Sequence, residues 1–284
     1  GFENIIGSSL ADSIIGDTAN NTIEGGLGND TINAGAGVDT VSYASATSSV
    51  TVNLSTSAAS GGANFDSIIN FENVIGSSAV DSILGNSANN TIDGGLGNDA
   101  MDGGAGLDAL SYTSATSAVT VNLSVSTSSG GAGNDNFVNF ENVIGTSASD
   151  SIIGNTANNT IEGKLGDDTM DGGAGSDTLI YSSSASAITV NLSIGTASGG
   201  NGNDSFVNFE NIIGSSAADS ILGNTANNTI EGGLGADTMD GGDGSDTLSY
   251  TSATSSVTVD LSLNTISGGA GNDNFVNFEN IVGS

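Results

Sequence analysis

A nine-residue, glycine-rich period limits this chain more than any other feature. Residues 94–111 show it cleanly as GGLGNDAMD followed by GGAGLDALS, two nonapeptides set end to end. Each reads as a six-residue turn with an aspartate in sixth place (Asp99, Asp108), then three residues with an apolar one in the middle (Met101, Leu110). Glycines clustered at 94, 95 and 97 disfavour a helix, and an apolar residue at every ninth position does not follow the helical period. The pattern predicts a short strand, a tight turn and another short strand.

A longer period contains the short one. The hexapeptide Phe-Glu-Asn-Ile/Val-Ile/Val-Gly begins at Phe2, Phe71, Phe140, Phe209 and Phe278, always 69 residues after the last. The expected repeats are 2–70, 71–139, 140–208 and 209–277, with 278–284 opening a fifth, all in one continuous solenoid. Neither end reads as a polar capping repeat, so the expectation is an interior slice of a longer chain. In the second repeat the nine-residue frame runs through GSSAVDSIL, GNSANNTID and the two clear nonapeptides. It continues with eighteen residues (112–129) holding the alternating strand Val119 to Leu123, and with GGAGNDNFV (130–138). Two nonapeptides per turn then give about four coils per repeat, advancing roughly 19 Å, or about 80 Å for the whole stretch. The expected apolar column is Ile83, Ile92, Met101, Leu110, Val119, Val121, Leu123, Phe137, Phe140 and Val143.

Charge sets the next constraint. Thirty-two acidic residues face a single Lys, with no Arg or His, for a formal charge of −31. Two carboxylates about 5 Å apart repel by roughly 3 kcal/mol at an effective dielectric near 20, so a compact stack of them needs cations between its turns. Nucleic acid and anionic membrane surfaces are excluded as partners on the same ground. No apolar run approaches 18 residues, which argues against a membrane span, and no basic stretch with an apolar core resembles a signal peptide. Without Cys there is no disulfide framework, and without His, Cys or Arg there is no Ser-His pair, zinc cage or phosphate clamp. The expectation is a non-enzyme.

The nonapeptide G-G-x-G-x-D-x-U-x is an already described signature of calcium-binding rolls, and the chain resembles the RTX (repeats-in-toxin, hemolysin-type) family of secreted bacterial proteins. The resemblance implies an all-β, right-handed parallel β-roll with calcium as cofactor, held between turns of successive coils on one side of the roll by the sixth-position Asp. Turns alternate sides. On one side the sixth positions are Asp12, Asp30, Asp66, Asp81, Asp99, Asp135, Asp150, Asp168, Asp204, Asp219, Asp237 and Asp273, interrupted at Ser48, Ser117, Ser186 and Ser255. Chain order groups them as Asp12 with Asp30, Asp66 with Asp81 and Asp99, Asp135 with Asp150 and Asp168, and Asp204 with Asp219 and Asp237. On the other side Asn21 pairs with Asp39, Asn90 with Asp108, Asn159 with Asp177 and Asn228 with Asp246, and the amide makes these sites weaker.

Other recurrent residues read more plainly. The second nonapeptide of each repeat has Ala (19, 88, 157, 226) where the fourth-position Gly belongs, which puts its turn geometry in question. The paired Asn at 20–21 and its equivalents read as an amide ladder. Tyr43, Tyr112, Tyr181 and Tyr250 read as packing posts, and Lys164, in a Gly position, as a solvated side chain. The functional expectation is a calcium-dependent structural rod of a secreted or cell-surface protein, such as an extracellular filament, surface layer or adhesin stalk, that associates with further copies of the same repeat. The alternatives are the secretion and folding tail of an exported enzyme, or a polysaccharide-binding module.

Overall fold

The computed structural model describes residues 3–62 and 64–284, so Phe2, which opens the first hexapeptide, lies outside the described residues. The chain forms two compact bodies, Gly1–Ile144 and Gly145–Ser284. Both are all-β, with no helix among the described residues. Each is a β-roll of two facing sheets.

In the first body one sheet consists of the three-residue strands Asn4–Ile6, Thr22–Glu24, Thr40–Ser42, Asn73–Ile75, Thr91–Asp93, Ala109–Ser111 and Asn142–Ile144, stacked parallel in that order. The register places like on like. Ile92 lies between Val74 and Leu110, and all three are buried. Each middle residue points inward because side chains alternate along a strand, and burying an Ile or Leu there contributes roughly 2 kcal/mol. The whole expected column of the second repeat, Ile83 to Val143, is buried.

The second sheet is not built the same way. Ser82–Asn86 and Ala100–Gly104 are parallel neighbours, but the next strand in space is Asn136–Val138, with Met101 beside Phe137. Thr127–Gly130 then pairs antiparallel with both Asn136–Val138 and Val119–Asn122. The first repeat has the same order. Thr31–Asn33 pairs with Asn64–Ile69, which leads antiparallel through Ala58–Gly61 to Val50–Asn53, and this last strand is parallel to Ser82–Asn86. The coil expected at 112–129 therefore differs in construction from the others. It enters the roll as a hairpin within one sheet, so a repeat adds three strands to the first sheet and five to the second.

Alternation explains why this stretch joins the sheet. Val119 and Val121 are buried while Thr120 is exposed, the half-buried pattern that an antiparallel strand requires. Opposite the hairpin, where the first sheet has no strand, the loop after Ser111 closes the core. Tyr112 and Ala115 are buried, the Tyr112 N–H donates to the Ile144 carbonyl (2.9 Å), and the Ala115 N–H donates to the Tyr112 carbonyl (3.0 Å).

The second body repeats this plan. Its first sheet runs through Thr160–Glu162, Thr178–Ile180, Asn211–Ile213, Thr229–Glu231, Thr247–Ser249 and Asn280–Val282. In its second sheet the hairpins Ile188–Asn191/Thr196–Gly199 and Val257–Asp260/Thr265–Gly268 stand where Val119–Asn122/Thr127–Gly130 stands in the first.

Candidate metal centre: two columns of stacked turns

The turns that join the sheets are made in two ways. In GSSAVD the second-position Ser77 accepts the N–H of Ala79 on its hydroxyl (3.0 Å), and in GNSANN Asn86 accepts that of Ala88 (2.7 Å). These side-chain turns need no left-handed residue. The expected weakness at Ala19, Ala88, Ala157 and Ala226 is thereby met, since each Ala N–H is held by the Asx residue two before it. In the glycine turns, second-position Gly95 and fourth-position Gly97 have φ of 85° and 146°. A Cβ on Gly95 would strike the carbonyl of Ser77 in the turn below, and one on Gly97 would come 2.5 Å from that of Ala79. Glycine turns stack on side-chain turns, whose carbonyl oxygens point up at them.

On one side of the roll the sixth-position aspartates form triads that are not the chain-order groups. Asp81 N–H donates to Asp99 Oδ1 (2.8 Å) and Asp99 N–H to Asp135 Oδ1 (2.9 Å). The others are Asp12/Asp30/Asp66, Asp150/Asp168/Asp204 and Asp219/Asp237/Asp273. Asp66 is thus not a neighbour of Asp81, because the hairpin stands between them and Val50 N–H donates to Asp81 Oδ1 (2.7 Å). The grouping of Asp135 with Asp150, and of Asp204 with Asp219, is corrected in the same way: their triad partners are Asp99 and Asp168.

The three members of a triad are not equivalent. Asp81 Oδ2 accepts from Ser77 N–H (2.5 Å), and Asp135 Oδ2 accepts from the hydroxyls of Tyr112 (3.2 Å) and Ser128 (2.8 Å). The middle member keeps one oxygen empty-handed: Oδ2 of Asp30, Asp99, Asp168 and Asp237 is buried with no hydrogen-bond partner. Burial pushes Asp99, Asp168 and Asp237 up to about 7, against the lowering hydrogen bond from the preceding Asp N–H and with the charges of the flanking aspartates adding to the rise. A buried, unpaired carboxylate oxygen is costly unless a cation meets it.

On the other side the column is Asn, Asp, Glu. Asn90 N–H donates to Asp108 Oδ1 (2.7 Å) and Asp108 N–H to Glu141 Oε2 (3.0 Å). Glu72, Glu210 and Glu279 take the N–H of Asp39, Asp177 and Asp246 in the same way. Here too the middle Oδ2 atoms, those of Asp39, Asp108, Asp177 and Asp246, are buried and unpartnered. Burial raises Asp108, Asp177 and Asp246, with the neighbouring Glu charge adding to it. The glutamates were not expected from the nine-residue frame, because they sit where it shortens: three residues, Asn139 to Glu141, replace a six-residue turn. Asn139, at φ 58°, reverses the chain, and the extra methylene of Glu over Asp suits a turn three residues shorter. The recurrence of Glu in the hexapeptide was the available signal.

Other expectations shift with this geometry. The tyrosines are buried, as packing posts would be, and also donate to the third aspartates: Tyr43, Tyr112, Tyr181 and Tyr250 to Asp66, Asp135, Asp204 and Asp273. The paired Asn do not form a ladder. Asn89 Oδ1 accepts from Leu107 N–H (2.9 Å), while Asn90 Nδ2 donates to the Glu72 carbonyl (2.8 Å). Lys164, at φ 74°, is 3.9 Å from Glu162, so it is paired rather than merely solvated.

Among the described residues no three carboxylates converge on one point as a cage. The donor set is instead a carboxylate oxygen plus backbone carbonyls, the hard, all-oxygen chemistry that suits Ca²⁺. The unpartnered oxygens lie against glycines: a Cβ on Gly94 would come 2.6 Å from Asp99 Oδ2, and one on Gly103 2.8 Å from Asp108 Oδ2. These residues fit the ion.

The model of the RTX calcium-binding nonapeptide repeat matches residues 6–41, 75–110, 144–179, 213–248 and 263–276, more than half of the chain. The chain belongs to the RTX calcium-binding nonapeptide-repeat family. RTX repeats bind calcium, and calcium is the cofactor here. The matches begin 69 residues apart in the four repeats and cover the paired nonapeptide turns, whereas the fifth covers the last hairpin's return and the turn carrying Asp273. No match was found among curated proteins.

Proposed function

We propose that this chain is a calcium-loaded structural rod of a secreted, extracellular or cell-surface protein, serving as a filament, surface layer or adhesin stalk, with 2–70, 71–139, 140–208 and 209–277 as its repeats. The observation that carries the reading is the recurrence of one buried, unpartnered carboxylate oxygen in each column of every repeat. A chain that places eight such oxygens at a fixed spacing is using an external cation as part of its fold.

The aspartates hold the ion and set the strength of each site. Asp30, Asp99, Asp168 and Asp237 provide a free oxygen between two further carboxylates, whereas Asp39, Asp108, Asp177 and Asp246 have an amide on one side. The outer aspartates Asp12, Asp66, Asp81, Asp135, Asp150, Asp204, Asp219 and Asp273, with Asn21, Asn90, Asn159 and Asn228, anchor the turns and lend charge or a carbonyl dipole. Calcium supplies the positive charge that the sequence lacks. A constant 69-residue spacing with no drift in length suits lateral contact between further copies of the repeat.

Small-angle scattering with and without calcium tests the reading. An elongated particle whose length scales with the number of repeats, present only with calcium, is the expected result. A compact particle, or one indifferent to calcium, would contradict it.

A further inference from the structure

The short Asn-Phe-Glu turn is the one element of the second column that the nonapeptide pattern does not explain. Its carbonyl and its carboxylate both face the middle aspartate. A Cβ on Gly103 would meet the Asn139 carbonyl and would come 2.8 Å from the unpartnered Asp108 Oδ2. The same convergence recurs at Gly172, with the Asn208 carbonyl and Asp177 Oδ2, and at Gly241, with the Asn277 carbonyl and Asp246 Oδ2. Asp108 is 1% exposed and Asp177 and Asp246 are fully buried, so bulk solvent does not reach these oxygens.

We propose that the Asn-Phe-Glu turn completes a calcium site outside the nonapeptide motif, formed by Asp108 Oδ2, the Asn139 carbonyl and the Glu141 carboxylate. Equivalent sites lie at Asp177/Asn208/Glu210 and Asp246/Asn277/Glu279. The site rests on the reading that the turns hold calcium, and adds to it a ligand that the sixth-position rule does not contain. The argument is one of charge and shape together. Glu141 Oε2 already accepts the Asp108 N–H, which fixes its carboxylate beside the buried aspartate. The aspartate is buried and the glutamate beside it is not; a buried carboxylate held against a second one is repelled unless a cation lies between them, and a divalent ion with oxygen ligands is what a carbonyl and two carboxylates select.

The first repeat is a built-in control. Ala34 stands where the others have Gly103, Gly172 and Gly241, and it is fully buried. A Cβ at the equivalent Gly103, Gly172 and Gly241 would stand against both the short-turn carbonyl and the aspartate, so the Asp39/Glu72 site should be the weakest of the four.

Bound calcium, counted after equilibrium dialysis of the 284-residue chain at a free concentration that just saturates it, tests the proposal. Glu141→Gln keeps an oxygen for the Asp108 N–H and removes only charge. One ion fewer per chain is expected, and three fewer when Glu210→Gln and Glu279→Gln are added, with the β spectrum unchanged. An unchanged count would overturn the proposal. Asp99→Ala, in the other column, separates this failure from that of the calcium reading itself: an ion lost there but not in the Glu variants sinks only the short-turn site, and no ion lost in either sinks both. Should Glu141→Gln fail to fold, Ala34→Gly decides. Tighter uptake by one ion supports the site, and an unaltered isotherm refutes it.

Discussion

The two columns of turns share a backbone and differ in what ends them. One runs Asp81, Asp99, Asp135 and closes on the hydroxyls of Tyr112 and Ser128. The other runs Asn90, Asp108, Glu141 and closes on a turn of three residues. In both, the middle residue keeps a buried, unpartnered oxygen. Position in the stack, and not the presence of an aspartate alone, therefore decides which aspartate offers a buried, free oxygen to a cation. The amide in the second column follows from its neighbour. Asn90 donates to the Glu72 carbonyl, as Asn228 does to that of Glu210 (2.9 Å), and a carboxylate there would set oxygen against oxygen.

Removing calcium breaks both columns at once and should have the largest effect. No site exists in the unfolded chain, so the binding free energy is folding free energy. Loss of the β circular-dichroism spectrum in excess chelator at low salt is expected, and a spectrum that survives would refute the coupling. Next in size is a contrast within one column. Asp99→Ala should cost an ion and several-fold in midpoint calcium concentration, while Asp135→Asn, which keeps an oxygen for the Asp99 N–H, should leave the ion count unchanged. Equal losses in the two titrations would mean that position in the stack does not matter.

Acid comes next, and the sign of its effect depends on whether calcium is bound. Asp99, Asp168 and Asp237 are pushed up to about 7, above the ordinary carboxylate value of 3.8, mainly by burial. A raised folded value means that protonation favours the fold. Without calcium, the stabilisation is full below about 4 and is lost as pH rises through 7. With calcium the dependence reverses, because the ion requires the ionised form and proton uptake competes with it. The calcium-free chain should gain β signal as pH falls from 8 to 5, whereas its calcium affinity should fall over the same range. A calcium-free chain that loses structure on acidification would contradict the assignment.

What the sequence made legible was whatever repeats with a fixed frame. The buried column from Ile83 to Val143 follows from the nine-residue period, and the family resemblance that the period carries implied the roll and the turn aspartates. The triads followed from neither, because space order departs from chain order at the hairpin: Val119–Asn122 and Thr127–Gly130 read as one coil when counted in nines, yet pair with each other. Glu141 was hidden for a related reason, lying where three residues do the work of six. Hydrogen-bond roles also escape a periodic reading. Nothing in the spacing of Tyr112 says that its hydroxyl reaches a carboxylate 23 residues further on.

The smallest effect expected concerns that hydroxyl, and it sharpens the account of how the first column ends. Burial, with Asp135 beside it, pushes the Tyr112 hydroxyl up, so it remains a donor throughout the accessible pH range. Asp135 Oδ2 has a second donor in Ser128, but the corresponding residue is Ala197 beside Asp204. Tyr181 is thus the side-chain donor recorded for Asp204 Oδ2. Tyr181→Phe should leave that buried oxygen without its donor and cost about 1–3 kcal/mol, whereas Tyr112→Phe should cost about 1 kcal/mol, since Ser128 remains. Chemical denaturation at saturating calcium would read the difference. If the two variants lose the same stability, the hydroxyls do not close the column, and the third aspartate must be satisfied in some other way, by the ion itself.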